Sequence, residues 1–431
     1  MTLPKQIFLY LVITSALLFS KYSASAQDYD FEIPEEEETA KIEFSGDLDV
    51  KWGALQTNES SPFYGLQLFG QEKPDEHLSQ YRLDFYFNGD YRYKQVGFTL
   101  RTFAQYMKEE PIDLSFFELF GSLNLSPRLT MGIGKRRYNW GKGYAFNPVG
   151  YVNAEKDPEN PDLAMAGKNS LFINYNRSFS SGWIQNLSLY TIVLPQEAEI
   201  LDKYAELDNT SLAIKLYLLL QNTDLDFMVF TGKNQPQRYG MDFSTNLREN
   251  IEVHGEVSYA KDEDFNFIQN NMVQMNKTDG FSYLFGMRYL NNLNMTFIAE
   301  YYHNNRGLTS SEYKDYQEHL INTLNSADTE LINLTKSVIT TNFRSKNIMQ
   351  DYIYFKASLP EPFEWLHSSV AVFTIYNVND GSFLLSPQLG YKPFTNSEIL
   401  LWPSIFFGDD NSEYGSKQFQ KKVEMWFRFY F

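Results

Sequence analysis

The chain reads as an all-β protein, a closed antiparallel barrel of eighteen strands that crosses a membrane, and three observations predict it. From Lys41 to Phe431, segments of about ten residues that alternate apolar and polar side chains recur. The connections between them alternate in length, short in one phase and long in the other. The last segment, 423–431, puts Val423, Met425, Phe427, Phe429 and Phe431 on one face and Glu424, Trp426, Arg428 and Tyr430 on the other. One face wants hydrocarbon and the other wants water. Left open, such a strand would template aggregation; closing it onto the first strand removes the edge.

Residues 1–26 come first, with Lys5, an apolar run over 7–19 and Ala24-Ser25-Ala26, the order of a secretory signal peptide. The mature chain then starts at Gln27. The 27–40 segment, with Asp28, Asp30, Glu32 and the run Glu35 to Glu38, reads as a solvated acidic lead-in. The barrel occupies 41–431. Cysteine is absent, which excludes a lipoprotein anchor, a disulfide framework and thiolate chemistry, and suits a chain exported unfolded. Beyond residue 26 no apolar run approaches the roughly 20 residues of a membrane helix, and 212–220 is broken by Lys215. A helical membrane protein is therefore excluded. Aromatic residues make up 17%, more than a soluble core needs, and interfacial girdles give them a use. The formal charge is −17, and loss of Lys5 and Lys21 with the leader makes it −19, so nucleic acid is not a partner.

The strands are expected at 42–51, 79–88, 95–106, 116–125, 129–138, 170–177, 186–194, 211–221 and 225–232 in the first half. The second half continues with 239–247, 251–260, 281–290, 295–302, 352–359, 369–376, 382–391, 399–407 and 421–431. If the weak segments 239–247 and 369–376 fail, sixteen remain. Short connections fall at Gly89-Asp90, Ser126-Pro127-Arg128, Asn222-Thr223-Asp224, Arg248-Glu249-Asn250 and 291–294. Long ones fall in the opposite phase, at 52–78, 139–169, 195–210, 261–280 and 303–351. In 281–290 the apolar set is Phe281, Tyr283, Phe285, Met287 and Tyr289, against Ser282, Gly286 and Arg288. A lipid-facing arginine at mid-depth costs roughly 2–4 kcal/mol, so the second face must be wet and the lumen polar and water-filled.

The terminal alternation Phe427, Phe429, Phe431 resembles the assembly signature of Gram-negative outer-membrane β-barrel proteins. That resemblance covers the last segment only. It implies an outer-membrane location, with outer-membrane lipid and the barrel-assembly machinery as partners.

The least regular stretch is 136–148, RRYNWGKGYAFNP, running on through Lys156-Asp157-Pro158-Glu159-Asn160-Pro161-Asp162 to Gly167. Its glycines and prolines end a strand and force an irregular path. It is the third long-phase connection, and the architecture resembles that of general porins, whose third loop folds inward with acidic residues facing a basic wall. On that resemblance Trp140, Lys142, Glu155, Asp157, Glu159 and Asp162 are constriction-loop candidates. Parity places Arg82, Asp84, Arg101, Glu118, Arg136 and Arg288 on inward faces, as pore-lining residues that set charge selectivity. The plainer reading is a surface loop in which Trp140 and Tyr144 anchor a strand end at the headgroups. The Trp-Gly-x-Gly and Asn-Pro elements also resemble those of uncharacterised outer-membrane barrels, which implies no substrate.

Within 304–350, Tyr316, Leu320 and Leu324, then Leu331, Leu334 and Val338, are spaced for two short amphipathic helices around a turn at 325–328. They would form either a lid or an ordered outer loop. The five histidines, His77, His254, His303, His319 and His367, show no metal-ligand spacing, and no nucleophile-elbow serine is present. His254 between Glu252 and Glu256 reads as part of a lumen hydrogen-bond ladder. No enzyme, cofactor or metal site is expected, and no segment is large enough to plug the barrel. The leading function is passive diffusion of small polar solutes. Alternatives are an export or envelope-assembly barrel with a periplasmic partner, or a structural surface protein; a homo-oligomer is compatible with each.

Overall fold

In the computed structural model the alternating segments close into one ring. It describes residues 39–71, 76–108, 110–160, 166–195, 210–233 and 235–431. The leader, most of the acidic lead-in, Asp162 and most of 195–210 lie outside the described residues.

The strands are β1 (Lys41–Thr57), β2 (His77–Tyr93), β3 (Val96–Met107), β4 (Asp113–Ser126), β5 (Leu129–Arg136), β6 (Lys168–Ser178), β7 (Ile184–Leu194), β8 (Ser211–Leu220) and β9 (Thr223–Gly232). They continue as β10 (Gln235–Arg248), β11 (Ile251–Gln269), β12 (Met272–Leu290), β13 (Thr296–His303), β14 (Asp351–Pro360), β15 (Ser368–Asn377), β16 (Phe383–Phe394), β17 (Ser397–Phe407) and β18 (Phe419–Tyr430). Each pairs antiparallel with its sequence neighbours, and β1 pairs with both β2 and β18, so the eighteen-stranded sheet has no free edge. Both weak segments, 239–247 and 369–376, form strands.

Side-chain alternation sorts the two faces as expected for a membrane barrel. Outward lie Val50, Phe281, Phe285, Met287, Phe427 and Phe429, all about half exposed. Inward lie Asp49, Asp84, Glu256 and Glu300, all buried. Connections at one end are turns of two to seven residues; at the other they include 58–76, 137–167, 304–350 and 408–418.

Two boundaries differ from expectation. Gly89-Asp90 is not a turn: β2 runs on to Tyr93, Asp90 pairs with Thr99, and the chain reverses at 94–95, where Lys94 takes φ 54°. A Gly-Asp pair is a strong turn signal locally, but cross-strand pairing on both sides overrides it. Residues 261–280 are likewise not a loop. After a bulge at Ala260/Glu263 the β11–β12 ladder resumes and closes at Asn270-Asn271, both with positive φ, a hairpin geometry asparagine tolerates well. The α2 helix (Ser310–Ser326) leans on this extension, and His319 Nδ1 and Asn271 Oδ1 are 2.8 Å apart.

Among the described residues, three α-helices lie in the loop-end connections: α1 (Pro62–Gln67), α2 and α3 (Thr329–Asn342). Thr309 and Glu312 form a reciprocal capping box on α2, and Asp328 caps α3. Tyr316 and Leu320 are buried as the spacing predicts, whereas Leu334 is 61% exposed and the second helix packs through Ile332 and Thr335 instead. The helices sit on a core of inward residues, Tyr352, Phe373, Ile375, Leu384, Trp402 and Trp426, from β14 to β18. The lumen is therefore not uniformly wet. Inward Ile375 of β15, Leu384 of β16 and Trp402 of β17 are buried, covered by folded-in connections rather than by water.

Candidate functional site

The described part of the 137–167 connection, 137–160, leaves β5, lines the inner wall and docks on strands far from its own. Tyr138, Trp140, Val149 and Val152 pack against Phe172, Ile192, Met228 and Phe230 of β6 to β9. Phe146 then stacks on Tyr302 of β13, with ring centroids 4.5 Å apart.

Its anchors are two buried wall carboxylates. Glu256 on β11 accepts from the backbone N–H groups of Lys142 (2.6 Å), Gly143 (2.6 Å) and Val149 (3.3 Å), and from Asn147 Nδ2 (3.0 Å). Glu300 on β13 accepts from the N–H groups of Tyr144 (2.5 Å) and Ala145 (2.9 Å). Successive amides converging on a carboxylate form an anion nest, here turned inward onto the protein's own acids. Two glycines permit this approach: a Cβ on Gly141, whose φ is +94°, would lie 2.6 Å from Glu256 Oε1, and one on Gly143 would lie 2.1 Å from the Phe146 carbonyl.

A third anchor is ionic. Lys142 Nζ lies 3.0 Å from Asp226 and 3.8 Å from Asp242, cross-strand partners on β9 and β10, and Lys215 of β8 is 3.5 Å from Asp226. Lys156 folds back to donate to the carbonyls of Gly143 and Tyr144. The expected polarity is thus reversed: the wall supplies the acids, and the loop supplies amides and a lysine.

The loop acids turn elsewhere. Asp157 pairs with Lys346 (2.6 Å) in the segment after α3, Glu159 donates its N–H to Asp157, and Glu155 is exposed; none faces Arg82 or Arg101 in an ion pair among the described residues. His254 joins a ladder of inward polar groups through Glu252, 3.8 Å from its Nδ1, and through β13, while Glu256 turns to the loop. His254 passes over Gly286, where a Cβ would collide with the imidazole at 2.1 Å, and places Nε2 3.1 Å from Glu300.

The pore-lining candidates all face inward, in three settings. Arg82 and Asp84 join a chain of charges across β18, β1 and β2: Arg428 with Asp49 (2.7 Å), Lys51 with Asp49 (3.0 Å) and Asp84 (2.7 Å), and Arg82 with Asp84 (3.1 Å). Arg101 pairs with Asp90 (2.6 Å), and Glu118 accepts from the Arg137 N–H. Arg136 stands over the Phe172 ring at 4.2 Å, with Phe120 and Tyr190 beside it, and Arg288 is 3.8 Å from Glu252. Asp49, Lys51, Arg428, Asp226, Asp242 and Glu300 were not singled out from the sequence, although alternation alone puts each on an inward face. What alternation lacks is which inward acid meets which loop.

At the loop end, Glu413 of 408–418 is buried and accepts from the Ile348 N–H (2.7 Å), Tyr352 Oη and Asn377 Nδ2 (2.6 Å). Burial pushes its pKa above the usual glutamate value. It ties the helical cover to the barrel wall.

No family model matches this chain, and no curated protein does. Among solved structures, Pseudomonas aeruginosa OccK2 (OpdF) in complex with glucuronate aligns over 90% of this chain and 97% of its own, at 9% identity and a TM-score of 0.54. Pseudomonas aeruginosa OpdQ aligns over 90% and 98%, at 8% identity and 0.50. A mutant of the Rh. blastica porin aligns over 91% and 100%, at 10% identity and 0.45. What this chain shares with the two Pseudomonas structures is the fold, a closed antiparallel β-barrel, and at such identity nothing finer passes between them.

Proposed function

We propose that this chain is an outer-membrane channel through which small hydrophilic solutes diffuse passively, with the 137–167 connection setting the constriction. The observation that carries this reading is the docking of that connection inside the bore on Glu256 and Glu300, opposite a wall of paired charges at Arg82, Asp84, Arg101 and Asp49. A loop held inward by nine-tenths buried carboxylates narrows the passage, and charges in a confined, low-dielectric opening sort what passes. Supporting it, the OccK2 structure of similar fold was solved with glucuronate, a small polar solute. Purified protein in planar bilayers is expected to give stepwise, stable single-channel currents. A barrel that inserts and stays silent would refute the channel reading and favour export or assembly with a periplasmic partner.

A further inference from the structure

Every strand of a closed barrel is internal, so a proline inside one removes a ladder hydrogen bond that hydrocarbon cannot replace. Two prolines meet across a single seam. Between β16 and β17 the ladder pairs Leu385 with Ile405 and Leu389 with Leu401, and skips the three positions between them. That register sets Ser386 opposite Ser404 and Pro387 opposite Pro403. On their other sides the prolines are paired, with Val372 of β15 and Val423 of β18, so the missing N–H groups fall on the shared seam. Among the described residues, every other interruption of a ladder comes with a shift of register, and this one does not. Because Ser386 and Ser404 are buried inward, both prolines point outward, into the apolar belt.

The gap is held shut from the inner side by one side chain. Ser386 Oγ donates to the Pro403 carbonyl (3.0 Å), accepts from Trp402 Nε1 (2.6 Å) and lies 3.0 Å from the Ser404 hydroxyl. The inner wall beside it is mixed in character. Phe373, Trp402 and Trp426 form an apolar face. Lys51 stands 3.7 Å over the Trp426 ring and continues into the Asp49–Arg428 pair. One inward position nearer the turn end, Gln388 is half-buried, so the bore reaches the interrupted span.

We infer that the β16–β17 seam is a lateral gate through which a molecule with one hydrocarbon chain and a polar head moves between the bore and the surrounding bilayer. The opposed prolines leave fewer backbone bonds to break where breaking them in hydrocarbon costs most. Opening releases the Ser386 bonds, while the β15–β16 and β17–β18 ladders on either side stay continuous. The apolar inner face receives the chain, and the neighbouring charges receive the head. This goes beyond the diffusion of polar solutes and does not rest on it.

The chain contains no cysteine, so a single engineered thiol reports on its own position. Gln388→Cys, on the inner side of the seam, and Ser188→Cys, a half-buried inward position on β7, are each reconstituted in phospholipid vesicles. Both are treated with N-hexadecylmaleimide, which its chain confines to the bilayer, and each rate is divided by that of a sulfonated maleimide arriving through water. The normalised rate is expected to be at least about tenfold higher at 388 than at 188. Adding Pro387→Val and Pro403→Val restores two N–H donors and alters only the outward face, so the fold is kept and the rate at 388 should fall by about tenfold or more. Without any label, amide hydrogen exchange over 385–389 should be faster than in β8, and the two valines should slow it. Equal normalised rates at the two thiols, a rate at 388 that the valines leave unchanged, or exchange as slow as that of β8 would overturn the inference.

Discussion

Replacing Glu256 with glutamine tests whether the docked connection governs the bore. The side chain keeps its size, but one carboxylate receiving four N–H bonds becomes a neutral amide. A hydrogen bond to a charged group is worth about 1.5–3 kcal/mol net, and a neutral one about 0.5–1.5. Weakening each of the four by about 1 kcal/mol removes about 4 kcal/mol from docking, on the order of a thousandfold in the ratio of docked to released loop. The new amide nitrogen also faces an N–H donor wherever Oε2 stood, at Val149. Glu300, Lys142 and the Phe146 stack still hold the connection, so intermittent release is expected rather than loss of fold. Single-channel recordings should show larger, noisier openings, and limited proteolysis should cut within 137–167 in the variant first. Wild-type conductance together with wild-type protease resistance would show that the two carboxylates are packing features with no hold on the passage.

Three further outcomes follow from the same geometry. Lys142→Met leaves Asp226 and Asp242 buried with only Lys215 nearby, and breaking such a cluster should cost about 3–5 kcal/mol, read as a lower unfolding temperature of the purified barrel. Arg82→Gln with Arg101→Gln should move reversal potentials toward cation preference, while Arg136→Gln should mainly cost about 1–2 kcal/mol of stability through its lost aromatic contacts; unchanged potentials in the first variant would discard the wall charges as a filter. Glu413 titrates from above its usual value of 4.5 in the folded cover, so the folded form binds more protons than the opened one. The closed cover is then most stable at low pH and loosens as pH rises through the raised value, seen as faster proteolysis of 408–418; Glu413→Gln should abolish that pH dependence.

How much of this was legible in the sequence differs by residue. Period-two alternation and connection length placed every strand, because the membrane demands one greasy face and full backbone pairing over a fixed thickness. Arg82, Asp84, Arg101 and Glu118 were assigned to the inner face on the same grounds. The Gly89-Asp90 turn and the 261–280 loop failed because both were judged from local composition, and pairing partners over-ruled it. Glu256 is visible in the sequence as an inward acid, but nothing local points to its partner Gly143, a residue 113 positions away.

The sequence by itself determined a closed antiparallel barrel of sixteen to eighteen strands and which side chains look outward, since each depends only on neighbours along the chain and the period of the pleat; pairing of the two weak segments settled eighteen. Tertiary structure alone decided what fills the bore. A connection of some thirty residues can lie across water or fold inside, and the choice rests on whether distant strands present buried acceptors for its amides. Glu256 and Glu300 do so, and only the ring closure that brings β11 and β13 within reach of Lys142 to Ala145 makes those contacts exist.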